Sequence, residues 1–154
     1  MTTMARSVFC LLLIVVGSGQ IMASEPLRYD ILVIAPHSDD EAIGCATVMR
    51  RALAHQRHVG VVIVTQGDGF PKAAAAATKK PLDQLTRDDF FTLAALREQH
   101  TLQAMQQLGV PREHVYFLGY PDGGLKAVYE STTASAYRNP FTQKSETYAV
   151  VGKD

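Results

Sequence analysis

The sequence predicts an α/β fold built on a parallel sheet. Three short apolar runs rich in β-branched residues have the pattern of strands that are buried on both faces. Stretches with helical spacing separate these runs, and strand–helix–strand units of this length form right-handed crossovers between parallel strands. We therefore expect a Rossmann-like sheet with helices on both faces, truncated after its third strand.

The predicted elements alternate in order along the chain. The alanine-rich segment 73–77 is predicted as a short helix or a mobile loop, and the polar segment 137–154 as a long loop. Because three strands make a thin sheet, the chain is expected to be part of a larger domain. The predicted strands cover 29–35, 59–65 and 115–118, and the predicted amphipathic helices cover 41–56 and 88–108.

The first 23 residues have the layout of a secretory signal peptide. Arg6 supplies a positive charge, an almost unbroken apolar run covers 8–16, and small residues follow as far as Ala23. The run is shorter than the roughly 20 residues that span a bilayer. We expect a signal peptide at 1–23, a folded unit at 24–154 and a secreted or periplasmic protein, with an uncleaved membrane anchor as the alternative.

The composition narrows the kind of partner. Hydrophobic residues make up 47% of the chain and charged residues 19%, as is typical of a packed globular core. Lysine plus arginine and aspartate plus glutamate number 15 each, so the charge balance favours neither nucleic acid nor an anionic membrane surface. A small neutral molecule is the expected partner, and no oligomeric state is predicted.

Acidic side chains follow the end of each predicted strand. In open parallel sheets, ligands bind at the carboxyl ends of the strands. His37, Asp39 and Asp40 follow the first strand, Asp68 follows the second and Asp122 follows the third. An imidazole nitrogen and a carboxylate oxygen three residues apart can converge on one metal ion, at about 2.0 to 2.2 Å for zinc.

The first of these segments also has a purely structural interpretation. Ser38 and Glu41 have the spacing of a capping box, and the helix dipole favours acidic residues in the first turn. Capping does not account for His37, because the same dipole disfavours a cation there. Spacing alone leaves a metal site and a capped helix as equal alternatives.

The segment 35–44 resembles the signature of the PIG-L/LmbE family of N-deacetylases, which is His-Pro-Asp-Asp-Glu after a strand with a glycine three residues further on. Here it reads Ala-Pro-His-Ser-Asp-Asp-Glu-Ala-Ile-Gly, with Ser38 in place of the usual proline. Two further segments are similar to that family: 96–110 resembles its Arg-rich helix ending in Leu-Gly-Val, and 117–125 its third-strand exit. All three occur in the family's order.

The resemblance implies a zinc-dependent hydrolase, with another divalent metal as an alternative cofactor. It implies His37 and Asp40 as metal ligands and Asp39 as general base. Zinc lowers the pKa of a water molecule to about 7, and the base takes its proton as the water attacks an amide carbonyl. The implied substrate is a small N-acetylated amino sugar or its conjugate, which would give a free amine and acetate.

Arg97 and Asp122 are the candidate substrate-binding residues. Arg97 lies in the helix that resembles the family's Arg-rich helix, and Asp122 lies at the functional edge of the predicted sheet. Each has a structural alternative. Arg97 is equally compatible with a solvated helix face, and Asp122, like Asp68, lies in a plain turn sequence.

One part of the family pattern is missing. The family's third zinc ligand is a histidine in a His-x-x-His motif that comes much later in the chain, and no such motif follows the third predicted strand here. His55 and His58 have the same spacing, but they lie between the first predicted helix and the second predicted strand. His55, His58 and His114 are predicted at the opposite edge of the sheet, and His100 lies in the middle of a helix. A catalytically incomplete fragment or pseudoenzyme that binds carbohydrate is therefore the alternative to the enzyme.

Overall fold

The computed structural model describes residues 28–131 and 137–148. Three parallel strands form one sheet in the order β1-β2-β3. The proposed signal peptide lies outside the described residues. The elements are β1 (Ile31–His37), α1 (Asp40–Ala54), β2 (Val59–Thr65), α2 (Pro71–Thr78), α3 (Arg87–Leu108), β3 (Val115–Tyr120) and α4 (Leu125–Glu130).

The predicted α/β class with a parallel sheet is confirmed. All three predicted strands form, and β1 and β3 run beyond the apolar stretches to include His37 and Tyr120. The segment 73–77 is helical, within α2. The sequence pattern missed α4, because six residues are too few to show a helical period. No helix in the described ranges has the length and hydropathy needed to cross a bilayer.

Matching positions on the three strands build one core. Val33 of β1 is in register with Val61 of β2, which is in register with Val115 of β3. All three are buried in one cluster with Met49 of α1 and Met105 of α3. This layer fixes how both helices sit on the sheet, and with them the loops at its carboxyl edge.

The two long helices lie on the same face of the sheet, since both contribute to this one cluster. Residues 28–131 and 137–148 therefore do not show the expected helices on both faces. Two right-handed crossovers that advance in the same direction, from β1 to β2 and from β2 to β3, place their helices on the same side. In the described part of the chain the opposite face is open. Leu32, Ile34 and Tyr116 on that face are 49%, 64% and 39% exposed.

Residues 137–148, called the docked segment below, contain no helix or strand and lie against the carboxyl end of the sheet. The N–H of Tyr148 donates a hydrogen bond to the carbonyl of Gly119 at 3.2 Å. Gly119 has a φ of 69°, and a Cβ atom there would overlap the backbone of Tyr148. Only glycine therefore allows the docked segment to approach β3 this closely.

Candidate metal and catalytic site

The junction between β1 and α1 contains His37, Asp39 and Asp40. His37 is the last residue of β1, and Asp40 is the first residue of α1. Strand pairing places His37 beside Thr65, the last residue of β2. The three side chains are therefore at the carboxyl edge of the sheet, where this class of fold binds its ligands.

These three side chains converge on one point. Nδ1 of His37 lies 3.0 Å from Oδ2 of Asp40 and 3.3 Å from Oδ1 of Asp39. One ligand atom from each residue lies within 4.8 Å of the others. Two atoms bound to a tetrahedral zinc ion at about 2.1 Å are about 3.4 Å apart, so this spacing suits a shared cation.

The lack of a hydrogen bond at Nδ1 of His37 is also consistent with a metal ligand. Its Nδ1 atom is buried and makes no hydrogen bond of acceptable geometry with any described residue. A buried nitrogen without such a bond is costly unless another partner takes its lone pair. The imidazole of His37 and the carboxylate of Asp40 are donor types that suit zinc and other divalent cations, and the carboxylate of Asp39 lies beside them.

The capping box with Ser38 as N-cap, which the spacing left as an alternative to a metal site, does not form. The N-cap of α1 is Asp39, which makes no side-chain capping hydrogen bond. The hydroxyl of Ser38 is buried without a partner in the described ranges. Glu41 accepts a hydrogen bond from the N–H of Asp39 at 2.9 Å. Capping alone therefore does not explain this segment.

The backbone of Asp39 is held in an unusual conformation, with φ 111° and ψ −34°. Residues with a Cβ atom seldom adopt such angles, which cost about 1 to 3 kcal/mol and persist only where neighbouring contacts impose them. The carboxylate of Asp39 is 52% exposed, so water and a substrate can reach it. The strain and the accessibility coincide at the residue that the resemblance implies as the base.

Arg97 reaches from α3 into this site. Its Nη1 atom donates a hydrogen bond to the carbonyl of Ser38 at 3.2 Å and lies 3.7 Å from Oδ2 of Asp39. Gly67, with a φ of 63°, leaves the space that the guanidinium occupies. Arg97 is therefore engaged with the β1–α1 loop and does not lie on a solvated helix face. Its contact with a substrate stays a prediction.

Asp122 links the exits of β2 and β3. Its Oδ2 atom accepts a hydrogen bond from the N–H of Gly69 at 3.1 Å, and its own N–H donates to Oδ1 of Asp68 at 3.3 Å. These contacts support the turn role. Asp122 also lines a cavity of about 210 Å³ that it shares with His37 and Thr65, so its substrate contact stays a prediction as well.

Asp68 does more than form a turn. It is fully buried, and its Oδ2 atom accepts hydrogen bonds from the hydroxyl of Tyr148 at 2.6 Å and from Nδ2 of Asn139 at 3.4 Å. Burial raises the pKa of Asp68, and the hydrogen bond from Tyr148 opposes part of that rise. The pKa of Tyr148 is raised, first by the burial of its hydroxyl group and second by its hydrogen bond to Asp68. Asp68 thus fastens the docked segment beside the site.

A second buried polar contact also holds the docked segment at the carboxyl edge of the sheet. Nε2 of Gln66 donates to the carboxylate of Glu98 on α3 and to the carbonyl of Tyr148, the latter at 3.1 Å. Gln66 and Glu98 are both fully buried. Because neither residue type carries a local motif signal at this spacing, the sequence did not indicate the pair.

The remaining histidines lie away from His37. His55 caps the C-terminus of α1, His58 precedes β2 and His114 precedes β3, which places all three at the opposite edge, as predicted. His100 is exposed on α3 and lines a cleft of about 480 Å³. In residues 28–131 and 137–148, the one group of at least three possible metal ligands whose donor atoms lie close together is His37, Asp39 and Asp40.

Comparison with known proteins gives one family. The model that describes the GlcNAc-PI de-N-acetylases (PIG-L) matches residues 32–150. No curated protein matches the chain.

Two solved structures are similar to the chain over part of their length. A conserved protein from Thermus thermophilus is 29% identical over 64% of this chain and 35% of its own, with a TM-score of 0.42. The N,N'-diacetylchitobiose deacetylase from Pyrococcus horikoshii, solved with an inhibitor, is 24% identical over 58% of this chain and 28% of its own, with a TM-score of 0.45. The chain therefore spans about a third of the length of these structures.

Proposed function

The chain belongs to the GlcNAc-PI de-N-acetylase (PIG-L) family, and we propose that it is a metal-dependent hydrolase that removes the N-acetyl group from an N-acetylglucosamine-type substrate. The convergence of His37, Asp39 and Asp40 at the carboxyl edge of the sheet carries this proposal. The proposed partner is a small N-acetylated amino sugar or its conjugate, and the products are a free amine and acetate.

In this proposal His37 and Asp40 hold the cation, which is zinc or another divalent ion, and Asp39 is the general base. A bound zinc ion supplies Lewis-acid chemistry, because it polarises an amide carbonyl and makes water acidic near neutral pH. The exposed carboxylate of Asp39 takes the proton of the attacking water and returns it to the departing amine. Arg97 and Asp122 lie beside these residues and are the proposed contacts to the sugar.

Amine release tests the proposal directly. With an N-acetylglucosamine conjugate as substrate, the full chain loaded with zinc is expected to release amine and acetate in equal amounts. Removal of the metal with a chelator is expected to abolish the release, and added zinc to restore it. Release that a chelator leaves unchanged would contradict the metal-dependent mechanism.

A second candidate function is carbohydrate binding without turnover. It is favoured by one observation: catalytic zinc usually has three protein ligands, and the described residues offer the acids and one histidine of a single short segment. Saturable binding of the acetylated sugar by the zinc-loaded chain, with no amine released, would support this candidate over the hydrolase.

Secretion is also a proposal. Three features support a signal peptide at 1–23: the positive charge of Arg6, the apolar run at 8–16 and the small residues up to Ala23. A chain expressed with this leader in a host that secretes proteins is expected to appear outside the cytoplasm at a mass that matches a start near Ser24. An exported chain that keeps its full mass and stays with the membrane would support the uncleaved anchor.

A further inference from the structure

We propose that Glu41 and Thr101, together with Arg97, are positioning residues that clamp the peptide between Ser38 and Asp39. The clamp holds the proposed base in its strained conformation. The inference rests on the proposed function only for the role of Asp39 as base, since the clamp itself is a set of contacts within the chain.

The clamped peptide is held from both sides. Its carbonyl, which belongs to Ser38, accepts a hydrogen bond from Nη1 of Arg97 at 3.2 Å. Its N–H, which belongs to Asp39, donates to Oε2 of Glu41 at 2.9 Å. The C=O and N–H of a planar trans peptide point in opposite directions, so these two contacts together fix the orientation of the peptide plane.

Thr101 completes the clamp. Its hydroxyl donates to Oε1 of Glu41 at 3.1 Å, so each oxygen of that carboxylate has one defined partner. Glu41 and Thr101 are 1% and 2% exposed, which means that water does not replace a lost partner easily. Arg97 and Thr101 are four residues apart on α3 and therefore share one face of that helix. One helix thus supports both sides of the peptide.

The clamp is needed because the backbone of Asp39 has an unfavourable conformation. With a φ of 111°, Asp39 would relax to a commoner conformation if the preceding peptide were free to turn. That relaxation would swing the Cβ atom and move the carboxylate away from Nδ1 of His37, which it approaches to 3.3 Å. Glu41 therefore does more than contact the N–H of the N-cap residue, as one arm of a capping box does, because its second oxygen ties the same peptide to Thr101 of α3.

Hydrogen exchange at a single amide tests the clamp without any metal. In the metal-free full chain, exchange of the Asp39 N–H is measured by NMR for wild type and for Thr101→Val, which keeps the shape and removes the hydroxyl. We expect this amide to exchange at least about tenfold faster in Thr101→Val, because a buried partner of Glu41 is lost. Thr101→Ser is expected to restore the wild-type rate.

Two matched measurements separate positioning from general stability. Thr92→Val removes an exposed hydroxyl from the same helix, one that donates only to the carbonyl of Asp88, and is expected to leave the Asp39 amide unchanged. Thr101→Ser loses a buried methyl group, so its melting temperature is expected to fall while exchange at the Asp39 amide stays at the wild-type rate. A uniform acceleration across all amides in Thr101→Val would show general loosening of the fold and would overturn the inference.

Glu41→Gln provides a second variant, because a neutral amide oxygen is a weaker acceptor than a carboxylate oxygen for the N–H of Asp39. Faster exchange at Asp39 in this variant supports the clamp. Unchanged exchange in both Glu41→Gln and Thr101→Val overturns it. A Co²⁺ titration of wild type keeps the two proposals apart: protection of the Asp39 amide without Co²⁺ binding would support the clamp and reject the metal-dependent hydrolase.

Discussion

Replacement of Asp39 by alanine is expected to slow amine release about 100- to 10,000-fold, the usual contribution of a general base. The substitution removes a carboxylate that is 52% exposed at the site and that, in the proposed mechanism, takes up the proton of the attacking water. Steady-state kinetics at saturating zinc, with an N-acetylglucosamine conjugate as substrate, measure the change. We expect the loss in kcat, since the proposed role of Asp39 belongs to the chemical step.

His37→Ala is the informative comparison for this variant. It removes a proposed metal ligand, so the affinity for Co²⁺ is expected to fall at least about tenfold along with activity, as loss of even an outer partner of a metal site does. Asp39→Ala is expected to keep most of the Co²⁺ affinity. His55→Ala, at the opposite edge of the sheet, is the matched control and should change neither. Activity that survives in Asp39→Ala would reject the assignment of the base.

Gly119→Ala is expected to lower the free energy of unfolding by about 3 to 5 kcal/mol, the range of exceptional, sterically driven losses. The new methyl group would overlap the backbone of Tyr148, and the φ of 69° at this position already disfavours a residue with a Cβ atom. A backbone clash cannot be relieved by a change of rotamer. We expect the docked segment to detach from β3, with loss of the hydrogen bond between Tyr148 and Asp68.

Urea unfolding of wild type and variant measures this loss, and Gly44→Ala provides the control. Gly44 lies inside α1 and a Cβ atom there meets nothing within 4 Å, so alanine is expected to stabilise the fold by about 0.5 to 1 kcal/mol. Equal midpoints for Gly119→Ala and wild type would show that the docked segment contributes little to stability.

The sequence predicted those parts of the molecule that depend on short stretches of chain. His37, Asp39 and Asp40 lie within four consecutive residues at the end of an apolar strand, so their convergence follows from local geometry alone. The strands were predictable because each is a short apolar run rich in β-branched residues, and α1 and α3 because their apolar positions recur at helical spacing. The same local reasoning failed at Ser38 and Glu41, where a capping box matched the spacing but a partner on another helix determined the hydrogen bonds.

The rest depends on contacts between distant parts of the chain. Glu41 and Thr101 are separated by 60 residues, and Asp68 and Tyr148 by 80, so no periodicity links either pair. The placement of α1 and α3 on one face follows from the handedness of crossovers only once the strand order is known. Strand order is a property of the assembled sheet, and a single sequence does not display it.

The helix α3 contacts both the hydrophobic core and the candidate site. The 22 residues of α3 make a stiff rod about 33 Å long, with Met105 in the core cluster one turn beyond Thr101. A change of side-chain volume at Met105 would shift the whole rod, and the guanidinium and hydroxyl that it carries would shift with it. Substitutions at Met105 that raise heat resistance are therefore also expected to change the rate of the proposed deacetylation.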